Sequence, residues 1–139
     1  MGRRRKGVAP RGTVVLDCDG LSRLVDAEHK VVAFVQECRK LGMRVAVSAL
    51  TIIEATHAGT DRKRLAWLLS GMHIEPVDDS AAHLASKLLQ ANGLHGHTHA
   101  IDAVVAEAAI RQSAPVVLMT SDLDDMTTLC GDEVHLIRT

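Results

Sequence analysis

The chain alternates short apolar runs with longer amphipathic stretches. Val14 to Leu16, Arg44 to Val47, His73 to Val77, Val116 to Met119 and Val134 to Ile137 have the length and β-branched content of strands, the last of them at a sheet edge. Between them, apolar residues recur at helical spacing. Leu21 to Asp26 is expected as a short helix with Asp19 as its cap. Val31, Phe34, Val35 and Cys38 form a helical stripe that Gly42 closes. Ser48 is placed to cap a helix over Ala49 to His57, and Asp61 one that runs through Leu65, Leu68 and Leu69 to Gly71. Asp79 is expected to cap the helix carrying Ala81, Leu84, Ala85 and Leu88. The spacing predicts a loop over Asn92 to His97, then a helix from Ala100 to Arg111 capped by Thr98, with a core stripe of Ile101, Val104, Val105 and Ala108. A last short helix follows Asp125.

Strands that alternate with helices need crossover connections. The expected fold class is therefore α/β: a three-layer α/β/α domain whose mostly parallel sheet has four to five strands. Residues 13–139 make one domain with no internal repeat, and residues 1–12 read as a flexible basic arm, either a solvated tail or a contact for RNA.

Composition narrows the functional classes. With one Phe, one Trp and no Tyr among 139 residues, the core is aliphatic and no aromatic platform exists on which single-stranded bases could stack. The formal net charge is -1, but Arg3, Arg4, Arg5, Lys6 and Arg11 all lie in the arm, so removing their five charges leaves -6 on the rest. An acidic body suits nucleic acid only if some of its carboxylates hold cations. The three cysteines have no CxxC spacing, which excludes a zinc ribbon and a disulfide framework and points to a reducing cytoplasm. No apolar run approaches membrane-spanning length.

The acids then acquire a common address. Asp17 and Asp122 directly follow buried strands, and Glu54 lies in the helix after the second strand. Right-handed crossovers put all strand carboxyl ends on one edge of a parallel sheet, so these groups converge. Asp102 joins them only if its helix packs that way. Clustered carboxylates are costly unless cations or protons neutralise them, and an oxygen-only donor set fits Mg²⁺ or Mn²⁺. Such a site can activate water against a phosphodiester.

Four segments, VVLDCDGLSRLV, SALTIIEA, HAIDAVVAEAAI and VVLMTSDLDDM, in this order and spacing, resemble the PIN-domain ribonucleases and, within them, the VapC-like toxins of toxin–antitoxin pairs. The resemblance implies a PIN-like fold and a Mg²⁺- or Mn²⁺-dependent endoribonuclease acting on RNA, often tRNA or rRNA. It matches Asp17, Glu54, Asp102 and Asp122 to the family's acidic quartet: Asp17 and Asp102 as principal metal ligands, Asp122 as a ligand direct or through water, and Glu54 as holder of a second ion or of the attacking water. Asp125 matches a later acidic position, and Thr120 and Ser121 supporting ones. A cognate antitoxin and a homodimer are the partners it implies.

Other residues offer competing readings. Asp17-x-Asp19-Gly20 also resembles the first motif of haloacid-dehalogenase-type phosphatases, with Asp17 as nucleophile, Asp19 as acid and Ser48 in the second motif; that reading leaves Glu54 and Asp102 idle. A catalytically inactive PIN-like module that binds RNA or protein is a further alternative. Arg23, His57, Arg62, Lys63 and Arg64 are candidate phosphate contacts, and the 62–64 run also reads as a solvated helix start. His95, His97 and His99 alternate without a Cys or a carboxylate nearby in the loop, so they read as mobile polar groups rather than zinc ligands, with His99 able to reach the acidic site or RNA. Cys18, between two acids, reads as packing. Leu65, Leu68 and Leu69 are either core or an interaction surface.

Overall fold

A computed structural model describes residues 10–139. Of the arm predicted over 1–12, residues 1–9 lie outside the described residues. Arg11 and Gly12 are tied into the body: the Arg11 N–H donates to Gly42 O at 3.0 Å and Gly12 O accepts from the Arg44 N–H at 3.0 Å. Gly12 holds φ +120°, and a Cβ there would sit 2.7 Å from Pro115 O, so only glycine fits where the chain enters the sheet.

Four residues, Thr13–Leu16, form β1 and all are buried, which requires a neighbour on each side and a layer on each face. The structure supplies both. β1 pairs with β2 (Arg44–Ser48) and with β4 (Val116–Thr120); β3 (His73–Glu75) lies beyond β2 and β5 (His135–Arg138) beyond β4. The order is β3-β2-β1-β4-β5, every pair parallel, with β5 at the edge as expected. Side-chain alternation splits the strands between two cores. Val14, Leu16, Val45, Val47 and Met119 meet α1 (Cys18–Val25) and α2 (His29–Lys40) through Leu24, Val31, Val35 and Cys38. Val15, Ala46, Val116 and Leu118 meet α5 (Asp79–Ala91), α6 (Gly96–Ile110) and α7 (Leu123–Cys130). Two further helices, α3 (Ala49–Ala55) and α4 (Arg62–Ser70), complete the first layer, and Leu65 is buried against Leu21, Val25 and Ala55. Leu65 is thus core, with Leu68 and Leu69 packed beside it. Among the described residues no helix is long and apolar enough to cross a membrane.

Several local expectations are corrected. Asp17, not Asp19, caps α1: its Oδ1 accepts the Gly20 N–H at 2.9 Å, because the strand ends in extended backbone at Asp17 and the helix starts one residue later. Asp78, not Asp79, caps α5 through the Ala81 N–H at 2.8 Å. β3 stops at Glu75 rather than Val77, since Pro76 has no N–H to continue a ladder. The loop predicted over 92–97 is shorter, because α6 begins at Gly96, with the Thr98 and His99 N–H groups both donating to His95 O. Thr98 is therefore inside the helix and caps nothing. Ile101 is exposed, while Val105 to Ala109 are buried as a block, because α6 lies between the sheet, α5 and α7.

Candidate metal centre

The edge formed by the strand carboxyl ends carries the acids. β1 delivers Asp17, whose second carboxylate oxygen accepts the Ser121 N–H at 3.3 Å from the end of β4. β4 ends in Thr120, whose hydroxyl accepts the Asp122 N–H at 2.9 Å, and Asp122 caps α7. Glu54 comes from α3 and Asp102 from α6, two helices that pack together. Asp17, Glu54, Asp102 and Asp122 line one cleft of about 260 Å³ together with Cys18, Asp19, Ser22 and Ser121. The packing of α6 thus supplies what the sequence left open, bringing Asp102 to the quartet.

Electrostatics fit a cation. Burial pushes the Asp17 carboxyl above its usual range, against the Gly20 N–H, the Thr120 hydroxyl and the Ser121 N–H, which pull it down. Glu54 is raised by burial and then by the charges of Asp102 and Asp17. Asp102 is raised by burial, then by Asp122 and Asp125, with His99 opposing. Among the described residues no lysine or arginine lines the cleft. Carboxylates that raise one another's proton affinity are a donor set that gains by binding a divalent ion.

His99 extends this set. It breaks the helical backbone of α6 (φ -117°, ψ 16°), and its Nδ1 is buried without a hydrogen-bond partner. That nitrogen lies 3.8 Å from Asp102 Oδ2 and 3.8 Å from Asp125 Oδ2. The only signal in the sequence was its position three residues before Asp102. His95 and His97 are exposed.

The candidate phosphate contacts Arg23, His57, Arg62, Lys63 and Arg64 are not among the residues that line the cleft. Arg23 is engaged by Asp19 at 2.8 Å and Glu28 at 2.8 Å. His57 is exposed, with Nδ1 accepting the Gly59 N–H at 3.0 Å. Arg62 and Lys63 are exposed at the start of α4, while Arg64 donates to Leu24 O at 3.1 Å. Asp19 also accepts from the Thr139 hydroxyl; although burial raises it, the bonds from Thr139 and Arg23 and the Arg23 charge outweigh that and hold it below its ordinary value. This is the reverse of what a phosphatase asks of the acid in its first motif. Burial and the Glu54 charge push the Cys18 thiol up, which keeps it protonated and inert as a nucleophile.

The architecture is that of a PIN-like α/β/α domain. Among solved structures, the crystal structure of VapBC2 from Rickettsia felis bound to a DNA fragment from their promoter contains a chain with this fold: TM-score 0.68 at 15% identity, covering 91% of this chain and 98% of that one. No protein-family model and no curated protein matches the sequence.

Proposed function

We propose that the chain is a divalent-metal-dependent endoribonuclease and the toxin of a toxin–antitoxin pair. The observation that carries this reading is the convergence of Asp17, Glu54, Asp102 and Asp122 on one cleft that, among the described residues, no lysine or arginine lines. RNA as the substrate, and tRNA or rRNA within that class, rests on the four segments that resemble PIN-domain ribonucleases.

In this reading Asp17 and Asp102 hold the ion, Asp122 assists, and Glu54, at the exposed lip, orients the attacking water. A bound Mg²⁺ or Mn²⁺ supplies Lewis acidity at the phosphodiester and lowers the pKa of water at the site. The Ser121 N–H and Gly20 N–H fix the Asp17 carboxylate, so little reorganisation is needed when substrate arrives. Arg62 and His57, exposed after Glu54, receive flanking phosphates, and Arg23 does so if substrate displaces one of its two acids. The experiment is a Mn²⁺ and Mg²⁺ titration followed by incubation with total RNA. Cleavage only with metal supports the enzyme; RNA binding without cleavage in either metal supports the inactive module instead.

A companion antitoxin is proposed because the structural neighbour is itself a VapBC2 assembly; the homodimer is proposed from the resemblance of the four segments alone, and the cytoplasm from the cysteine pattern. The surface that fits the antitoxin is a groove of about 300 Å³ between α1, α2 and α4, where Leu24, Val32, Val35 and the exposed Trp67 lie beside Arg39 and Arg64. Its chemistry matches an apolar segment flanked by acids. Trp67 is the sole tryptophan, so docking of a companion chain there shifts protein emission to the blue, and Trp67→Arg weakens the complex.

A further inference from the structure

Asn92 is the only asparagine among the 139 residues, and Gly93 follows it. The pair forms the turn between α5 and α6, where Asn92 caps the end of α5 and both residues are exposed. Gly93 holds φ +64°, and a Cβ placed on it would meet nothing within 4 Å. Two bonds oppose a reaction at this turn. The Asn92 Nδ2 amide donates to Leu88 O at 2.8 Å, and the Gly93 N–H donates to Gln90 O at 3.2 Å. Both belong to the last turn of a helix, and helix ends fray at little cost compared with opening the core. Leu94 anchors the far side of the turn, with its N–H donating to Leu89 O at 2.9 Å and its side chain packed on the core. Opening is thereby confined to Asn92 and Gly93.

We infer that Asn92 is a deamidation site of the folded protein, and that its conversion to aspartate or isoaspartate loosens the turn that leads into α6. The Gly93 nitrogen gives its proton to water and attacks Asn92 Cγ. The Cγ–Nδ2 bond breaks, ammonia leaves and a cyclic imide closes. Water then opens the imide: cleavage at Cγ yields aspartate, and cleavage at the backbone carbonyl yields isoaspartate, whose main chain runs through Cβ and Cγ. Water is the only co-reactant, and nothing is oxidised or reduced. A glycine after the asparagine favours the step, because it places no Cβ beside the attacking nitrogen. Either product exchanges an amide donor for a carboxylate. The bond to Leu88 O is lost, and a negative charge stands at the C-terminus of α5, where the helix dipole disfavours it. α6 starts at Gly96, close behind the turn, and carries Asp102 to the cleft. The site therefore acts on the helix that completes the acidic quartet, whatever reaction the cleft performs.

The test incubates the full chain in warm, mildly alkaline buffer, folded and unfolded in urea, without RNA, and follows residue 92 by peptide mass spectrometry with fragmentation that separates aspartate from isoaspartate. Because only a helix end has to open, the folded wild type is expected to convert at no less than about a hundredth of the unfolded rate, with isoaspartate among the products. Asn92→Gln is expected to gain no mass at that residue. The aged wild type, purified by its added charge, and Asn92→Asp are then compared with fresh protein. Both are expected to melt a few degrees lower and to exchange the amide hydrogens of residues 94–99 faster. A folded wild type that converts more slowly than that limit would overturn the site, since conversion would then await unfolding of the core. Unchanged melting and exchange in the aged protein and in Asn92→Asp would overturn the effect on α6 and leave Asn92 and Gly93 as an ordinary helix end.

Discussion

The backbone N–H of Ser121 reaches the Asp17 carboxylate across 3.3 Å and joins two residues 104 positions apart. Asp17 is also the cap of α1. A single carboxylate thus ends the central strand, starts the first helix, anchors the end of β4 and faces the acidic cleft, and its cost is burial of a charge among like charges.

That cost makes the cleft a source of instability in the metal-free protein. Asp102 has a raised folded-state pKa, so its ionised form disfavours folding once pH rises above the ordinary value of 3.8. Asp102→Asn removes the charge and keeps the shape. The metal-free variant is expected to melt a few degrees higher than the wild type, on the order of 1 kcal/mol. Adding Mn²⁺ raises the melting temperature of the wild type only. Calorimetric melts with and without Mn²⁺ check both statements, and a variant that melts lower without metal contradicts the first.

Asp19 separates from Asp17 in the same kind of experiment. Its partners Arg23 and Thr139 are partly exposed, and Asp19 caps no helix. Asp19→Ala is expected to cost about 0.5–1 kcal/mol in urea unfolding while leaving metal binding and metal-dependent cleavage intact. Loss of cleavage in folded Asp19→Ala would return the phosphatase-type motif to consideration.

Acid stability has a different origin, on the far side of β3. Burial raises Glu75, but the bonds from His73 at 2.7 Å and Gln112 at 2.7 Å, with the Arg111 charge, outweigh it and set Glu75 below its ordinary 4.5. A depressed carboxyl contributes stability that is complete above the unfolded value and is lost as pH falls through the folded value. Glu75→Gln should therefore lower stability at pH 7 and flatten the loss below about pH 4.5. Unfolding free energies from pH 7 to pH 3 measure it; parallel curves for the two proteins would count against the network.

Gly12 tests the entry to the sheet. With φ +120° and Pro115 O only 2.7 Å from a Cβ, Gly12→Ala is expected to destabilise by about 1–3 kcal/mol. A neutral result in urea unfolding would mean that residues 11 and 12 belong with the arm.

The fold was legible where one signal dominated. Val14–Leu16 and Val116–Met119 are continuous apolar runs, the first followed at once by Asp17 and the second by Thr120, Ser121 and then Asp122, a pattern that suits central parallel strands. Helix starts were less legible, because Asp17 and Asp19, or Asp78 and Asp79, offer the same capping chemistry one or two residues apart and only the strand's exit angle decides between them. Asp17, Glu54 and Asp122 could be placed on one edge by topology alone. Asp102 could not, since its arrival depends on α6 starting at Gly96 and packing against α3. The kink at His99 has no signature in hydrophobic periodicity, so the approach of its Nδ1 to Asp125 emerged only from the structure.

The most direct measurement is cleavage-site mapping on cellular RNA with the wild type, Asp17→Asn and Asp102→Asn, each with and without Mn²⁺. The wild type is expected to make discrete metal-dependent cuts, and neither folded variant any. Cuts that persist in both variants, or that need no metal, would contradict that expectation.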